Sequence, residues 1–277
     1  MSNLDGLGYR DKTIVVTGGS SGMGEATARI LGELGAKVHI VDIQPPKIAC
    51  ASFRQCDLSD FDQVRETARG LADIAPIDFV FPCAGLPPHV KGAMYCMRVN
   101  YIGTRLFVET LLPSVRDGAG IALISSDAAM GWQRNLQQSM EMLSLSDPDD
   151  AYAWCEADPE NRVRDGYTSS KEMLVVWVQN KAVELGNTRR IRLNAIGPCP
   201  TKTAFVDASK EIMTDEFIAA WPFPSLGRMA TAEEQAWPLI LMNSELCGAV
   251  TGSFLYTDQG FASGVFTGAI SPAFMGG

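Results

Sequence analysis

Histidine is nearly missing from this 277-residue chain, with His39 and His89 the only two. A zinc site therefore has little raw material, and metal-free chemistry is expected. Cysteine occurs seven times (Cys50, Cys56, Cys83, Cys96, Cys155, Cys199, Cys247), but the number is odd, the scatter is wide and no CxxC is present. That pattern argues against a disulfide framework and for a reducing, cytoplasmic setting. No apolar run reaches the roughly 18 residues of a membrane span. The opening stretch, MSNLDGLGYRDKT, lacks the apolar core of a secretory signal. Basic residues are outnumbered as well: 23 Lys+Arg stand against 32 Asp+Glu, a formal charge of −9. Nucleic acid or an anionic membrane would require a basic face, so neither partner is expected.

What is abundant is apolar: 46% of the chain, including five Trp, six Tyr and twelve Phe, which suffices for a sizeable core. Short β-branched runs alternate with amphipathic stretches. Lys12–Thr17, Lys37–Asp42, Ile77–Phe81 and Gly120–Ser125 read as strands, and Gly22–Leu34, Asp60–Ala72 and a stretch around Val99–Leu112 as helices. The second half continues with a helix over Tyr167–Leu185, a strand Ile191–Ile196, a helix Ala232–Met242 and a strand Ser253–Asp258. Strands alternating with helices predict a single-domain α/β fold over residues 1–277, a doubly wound parallel sheet with helices on both faces. Two stretches break the rhythm. Trp132–Asp165 is polar and acidic, with Leu136, Met140 and Leu143 hinting at a short helix, and residues 204–229 are rich in Pro and aromatics. Long irregular stretches in a compact domain tend to be inserted elements or lids.

Between the first strand and the first helix lies TGGSSGMG, Thr17–Gly24. Gly18 permits a sharp turn, Gly22 a close backbone approach to a pyrophosphate, and Gly24 close helix–strand packing. The amides of this turn, with Ser20, Ser21 and Met23, would face phosphates at the positive end of the helix dipole. Asp42 ends the second strand, eighteen residues beyond Gly24, where a carboxylate accepts both ribose hydroxyls and repels a 2′-phosphate. Ile43 follows it in place of a cation, so NAD is expected over NADP.

With Tyr167 and Lys171 four positions apart on a predicted helix, both side chains leave one face. A fixed ammonium beside a phenol is expected to lower its pKa toward working pH, making Tyr167 an acid/base. Ser126, at a strand's C-terminal end, could hydrogen-bond a carbonyl or alkoxide oxygen; Ser125 beside it could also face the site, with Ser126 the preferred of the two.

Jointly, these motifs resemble the short-chain dehydrogenase/reductase family over almost the whole chain. The Gly18-x3-Gly22-x-Gly24 spacing, CDL (Cys56–Leu58), PCAG (Pro82–Gly85), RVN ending at Asn100, ISS (Ile124–Ser126), YTSSK (Tyr167–Lys171) and TDQG (Thr257–Gly260) follow the family order. The resemblance implies that Asp57 and Leu58 hold the adenine and that Cys83, Ala84 and Gly85 line the cofactor. It implies that Lys171 reaches the nicotinamide ribose and that Asn100 anchors a water joining Lys171 to solvent. IGPCPTKT (Ile196–Thr203) resembles the segment that holds the carboxamide, which makes Pro198, Thr201 and Thr203 cofactor contacts; Cys199, in place of a glycine, reads as a packing residue. His89 is either a substrate contact or a surface loop residue.

Tyr167 lies 41 positions beyond Ser126, where the family has about a dozen, so residues 132–165 are an insertion that slow growth of loop-closure cost makes tolerable. A similar insertion marks a subset resembling 3α-hydroxysteroid dehydrogenase/carbonyl reductase and coniferyl-alcohol dehydrogenases. There it obstructs one helix-packing interface, which implies a homodimer, with a homotetramer the other arrangement. The expected activity is hydride transfer between NAD and a hydrophobic, steroid-like or aromatic alcohol or ketone under an apolar lid. The alternative is a non-catalytic dinucleotide-binding regulatory protein on the same fold.

Overall fold

A computed structural model of the protein describes residues 5–87, 89–210 and 213–271. The ends of the expected 1–277 domain, and residues 211 and 212 of the expected lid, lie outside them. The first half runs β1 (Thr13–Thr17), α1 (Gly22–Glu33), β2 (Lys37–Asp42), β3 (Ser52–Gln55), α2 (Phe61–Gly70) and β4 (Ile77–Pro82). Next come α3 (Ala93–Met97), a π-helical turn (Arg98–Gly103), α4 (Thr104–Leu111) and β5 (Val115–Ile124). Helices α5 (Leu136–Ser144), α6 (Pro148–Ala157) and α7 (Pro159–Arg162) precede the long α8 (Tyr167–Arg189). The chain continues through β6 (Arg192–Pro198), β7 (Thr201–Lys202), α9 (Ala204–Ala208), α10 (Asp215–Ala220) and β8 (Ala230–Thr231). It closes with α11 (Ala232–Asn243), β9 (Phe254–Thr257) and α12 (Phe261–Thr267).

Seven parallel strands form one sheet in the order β3-β2-β1-β4-β5-β6-β9. The order reverses at β1, so the loops after β1 and β4 diverge and leave a crevice beyond the strand ends. Central strands such as TIVVT and KVHIVD are β-branched because helices cover both faces of the sheet. On one face Phe107, Leu111, Trp177 and Val178 pack beneath α4 and α8. On the other, Ile30, Leu31, Leu239 and Ile240 pack beneath α1 and α11. Burying a side chain such as Phe107 contributes about 1.5–3 kcal/mol. Capping fixes several helix starts: Asp60 accepts from the amides of Asp62 and Gln63, and Thr231 forms a capping box with Glu234.

Several sequence-based boundaries shift. β3 carries no apolar alternation in SFRQ because it is an edge strand, largely unburied. β5 begins at Val115 rather than Gly120, and the central helix begins at Ala93 rather than Val99. The insertion is ordered helix, and α5 turns a different face inward from the one its leucines suggested. Ser139 and Met142 are buried against α8, whereas Leu136 and Met140 are each 42% exposed. Met140 follows Ser139 by about 100° around the helix, which carries it off the packed stripe. At the other irregular stretch, β7 pairs with β8 and so ties together the two ends of the segment between them.

Candidate active site

The C-terminal ends of the central strands open into two joined cavities. The first, of about 270 Å3, runs over the start of α1 and is lined by Gly18, Ser21, Gly22, Met23 and Gly24. The turn is shaped for this role. A Cβ on Gly18 would lie 2.6 Å from the Ala84 backbone, and one on Gly24 only 2.1 Å from the Gly18 carbonyl oxygen. No side chain caps the N-terminus of α1, whose positive end therefore opens on the cavity. Asp42, Ile43, Asp57, Leu58, Cys83, Ala84 and Gly85 form the remaining expected wall. Among its described lining residues there is neither Lys nor Arg. A dinucleotide fits this lining.

Asp42 is held in place rather than loose: its Oδ2 accepts from the Ser20 amide at 3.0 Å and its Oδ1 from the Gln44 amide at 3.1 Å. Ser20 is thus a brace for Asp42 and not part of the cavity wall. Asp57 accepts from Ser59 through both amide and hydroxyl, at 2.8 and 2.7 Å. Tyr95, unremarked in the sequence, also lines this cavity, 3.1 Å from the Ser59 hydroxyl and 3.4 Å from Asp57 Oδ2. Its place in the short helix α3 carried no motif by which to find it.

The second cavity, of about 460 Å3, shares Met23, Cys83, Gly85, Thr203 and Phe205 with the first. Ser126, Tyr167, Lys171, Pro198, Thr201 and Thr203 all line it. Tyr167 is the first residue of α8 and Lys171 stands one turn on, with its Nζ 5.5 Å from the Tyr167 ring centre and 3.1 Å from the Ile124 carbonyl oxygen it bonds. Ser125 donates instead to the backbone carbonyl of Lys171 at 2.9 Å, which pins the helix, whereas the Ser126 hydroxyl bonds its neighbours Asp127 and Ala128. Asn100 does not touch the cavity. It is fully buried in the π-helical turn and clamps Leu86, accepting from its amide and donating to its carbonyl, both at 2.9 Å. Single π-turns of this kind recur at functional sites. A Cβ on Gly85 would lie 3.4 Å from Asn100 Oδ1 and 3.5 Å from Lys171 Nζ, so the two groups flank that glycine.

Electrostatics correct one expectation. The Tyr167 phenol was expected to fall toward neutral pH, but burial pushes it well above its ordinary value, and Asp127 adds to the rise while Ser126 opposes it. The same burial brings Lys171 down to about 8, because desolvation disfavours phenolate and ammonium alike. Asp127, with no forewarning in the sequence, sits directly after Ser126 on this wall, and burial holds its proton up to about 7. Cys199 is 4% exposed and lies against the side-chain amides of Gln235 and Gln259, its thiol raised to about 11 by burial, as suits a packing residue.

Residues after Thr203 cover the second cavity with Phe205, Val206, Met213, Phe217 and Trp221. Phe205 packs at a tilt against Tyr167, ring centres 5.7 Å apart, and Trp221 lies 4.5 Å from Phe261 and 5.4 Å from Phe217. Phe223 is not part of the wall. His89 contacts the carbonyl of Ala208 at the end of α9 and does not line either cavity. Glu172, beside Lys171, joins α8 to the insertion through Arg164 and through Asn135, which donates to both carboxylate oxygens.

Among the described residues no helix is long and apolar enough to cross a membrane, and no cluster of three His, Cys, Asp or Glu is arranged to hold a metal. Comparison with known proteins agrees with the geometry. Residues 12–137 match the short chain dehydrogenase family model, and residues 158–262 match that of enoyl-(acyl carrier protein) reductase. The coniferyl-alcohol dehydrogenase of a Pseudomonas strain is 31% identical over 91% of this chain and 97% of its own. The 3-alpha-hydroxysteroid dehydrogenase/carbonyl reductase of Comamonas testosteroni is 26% identical over 89% and 95%. The 3-alpha-hydroxysteroid dehydrogenase from Pseudomonas sp. B-0831, solved with NADH, superposes with a TM-score of 0.77 at 23% identity, over 94% of this chain and all of that one. With family, sheet order and site agreeing, the chain belongs to the short-chain dehydrogenase/reductase family of oxidoreductases.

Proposed function

We propose that the protein moves a hydride between NAD(H) and a hydrophobic alcohol or carbonyl, steroid-like or aromatic, with Tyr167 as the acid/base. The observation that carries this reading is the meeting of Ser126, Tyr167 and Lys171 on a largely apolar cavity that joins the cleft over α1. When bound, nicotinamide supplies or accepts the hydride. The side chains do the rest. A phenol that burial keeps protonated is set to give its proton to a carbonyl oxygen as reduction proceeds. Lys171, which flanks Gly85 together with Asn100, would hold the nicotinamide ribose and refill that proton, with Asn100 anchoring a water that joins Lys171 to solvent. Ser126 would hydrogen-bond the reacting oxygen, and Asp42 would take the adenosine ribose hydroxyls and repel a 2′-phosphate. Phe205, Phe217 and Trp221 would exclude water around an apolar substrate. The relatives named for coniferyl alcohol and for hydroxysteroids support that substrate class.

The test is NADH absorbance across a panel of steroid, aryl and short aliphatic alcohols and ketones, run with both cofactors. Turnover of the bulky apolar members with NAD is the expected result. A preference for NADP overturns the Asp42 reading, and cofactor binding without turnover of any member leaves the regulatory alternative. Seven free thiols suit a cytoplasmic protein. The insertion packed on α8 supports a homodimer, which light scattering at micromolar protein tests; a tetramer assembled through α8 overturns it.

A further inference from the structure

Ser126 is committed on two sides. Its Oγ donates to Asp127 Oδ1 at 3.0 Å and accepts from the Ala128 amide at 3.1 Å. A serine hydroxyl has one proton and two lone pairs, so in this arrangement it offers the substrate one lone pair and no proton. Asp127 is 7% exposed, and among the described residues its Oδ2 is buried with no hydrogen-bond partner. A buried carboxylate oxygen without a donor is costly, whereas a neutral acid carrying its proton on Oδ2 is not. The two states treat Ser126 differently. An ionised carboxylate is the stronger acceptor and captures the serine proton. A neutral acid leaves a weak carbonyl-like Oδ1 and frees the hydroxyl to turn toward the cavity.

We propose that Asp127 is a positioning residue that decides whether Ser126 gives or receives a hydrogen bond at the reacting oxygen, and thereby tunes carbonyl reduction. The proposal rests on the oxidoreductase reading above. The groups that face Asp127 are consistent with it. From α8 come Tyr167 and Lys171; from the end of β9 come Tyr256 and Asp258; from the end of β6 comes Cys199. α5 brings only the exposed Glu141, and α12 has no ionisable side chain. Burial and the Asp258 charge together hold the Asp127 proton up to about 7. The neutral, serine-releasing form therefore prevails below that value and is lost above it.

Two measurements test this. Infrared titration of the buried carboxyl, assigned by its loss in Asp127→Asn, is to show the midpoint moving up by about one unit in Ser126→Ala, since the hydroxyl stabilises the anion. An unmoved midpoint overturns the coupling whether or not the protein reduces ketones. Second, the ratio of wild-type to Asp127→Asn kcat/KM for NADH-dependent ketone reduction is to fall about tenfold from about pH 6 to about pH 8. A ratio flat with pH overturns the proposal and leaves Asp127 a packing residue. Asp127→Ser replaces the asparagine variant should that one not fold. Failure of the wild type to reduce any ketone strikes the oxidoreductase reading instead, and the infrared midpoint then decides on Asp127 alone.

Discussion

Tyr167 and Lys171 stand one helical turn apart in the same cleft, and burial drives their proton affinities in opposite directions. The sequence pair was legible; the sign of the phenol's shift was not, because desolvation depends on what covers the cleft and no spacing encodes that. Tyr167→Phe keeps the ring against Phe205 and removes the proton. Turnover is expected to fall by at least about 10²-fold while NADH affinity, read by fluorescence titration, stays within error. Unimpaired rates would reassign the acid/base. Asp127 gives a second prediction at this scale. Folded, it keeps its proton up to about 7; unfolded, it loses it near 4. Between those values unfolding releases a proton, so this residue's contribution to stability declines as pH rises through the window and stays lost above it. The Tm difference, Asp127→Asn minus wild type, is therefore expected to grow from about pH 5 to about pH 8. A constant difference across that range contradicts the raised proton affinity.

At the level of elements, the insertion is the instructive case. Its polar, acidic composition suggested a long irregular segment, yet α5 packs against α8, and α6 and α7 start on the capping side chains of Asp147 and Asp158. Asp147 caps α6 by accepting from the amides of Asp149 and Asp150, a local signal present in SDPDD. Which faces of α5 and α6 turn inward was settled by α8 and the π-turn they lie against. Arg164 and Asn135 fasten this layer to the buried Glu172. Arg164→Ala leaves Glu172 with Asn135 alone. Because Arg164 is one-third exposed, the expected loss is below that of a fully buried pair, about 2 kcal/mol at neutral pH. Burial already raises the Glu172 carboxyl, so lowering the pH toward about 5 shifts it toward its neutral form, which relieves the variant and shrinks the loss. Urea midpoints at the two pH values check this; equal losses at both would falsify the role of the charge.

For the whole molecule, the cleft beyond the strand ends links cofactor binding to global stability, since a ligand that binds only the folded chain stabilises it by mass action. NADH at about a hundred times its Kd is expected to add about 2.7 kcal/mol, seen as a raised Tm, with NADPH adding much less. Asp42→Ala should reduce the NADH effect and narrow the gap between the two cofactors. An unchanged gap would locate the discrimination elsewhere than at the end of β2.

The order of strands and helices, the Gly18–Gly24 turn, Asp42 and the Tyr167–Lys171 spacing were all determined by the amino-acid sequence, because each is a local pattern whose meaning depends on near neighbours. The short edge strand β3, the pairing of β7 with β8, the bracing role of Ser20 and the withdrawal of Asn100 behind Leu86 were decided by the tertiary structure. So was the arrival of Asp127 and Tyr95 on the cavity walls. Burial, partner choice and proton affinity arise from groups distant along the chain, and only folding brings those groups within reach of one another.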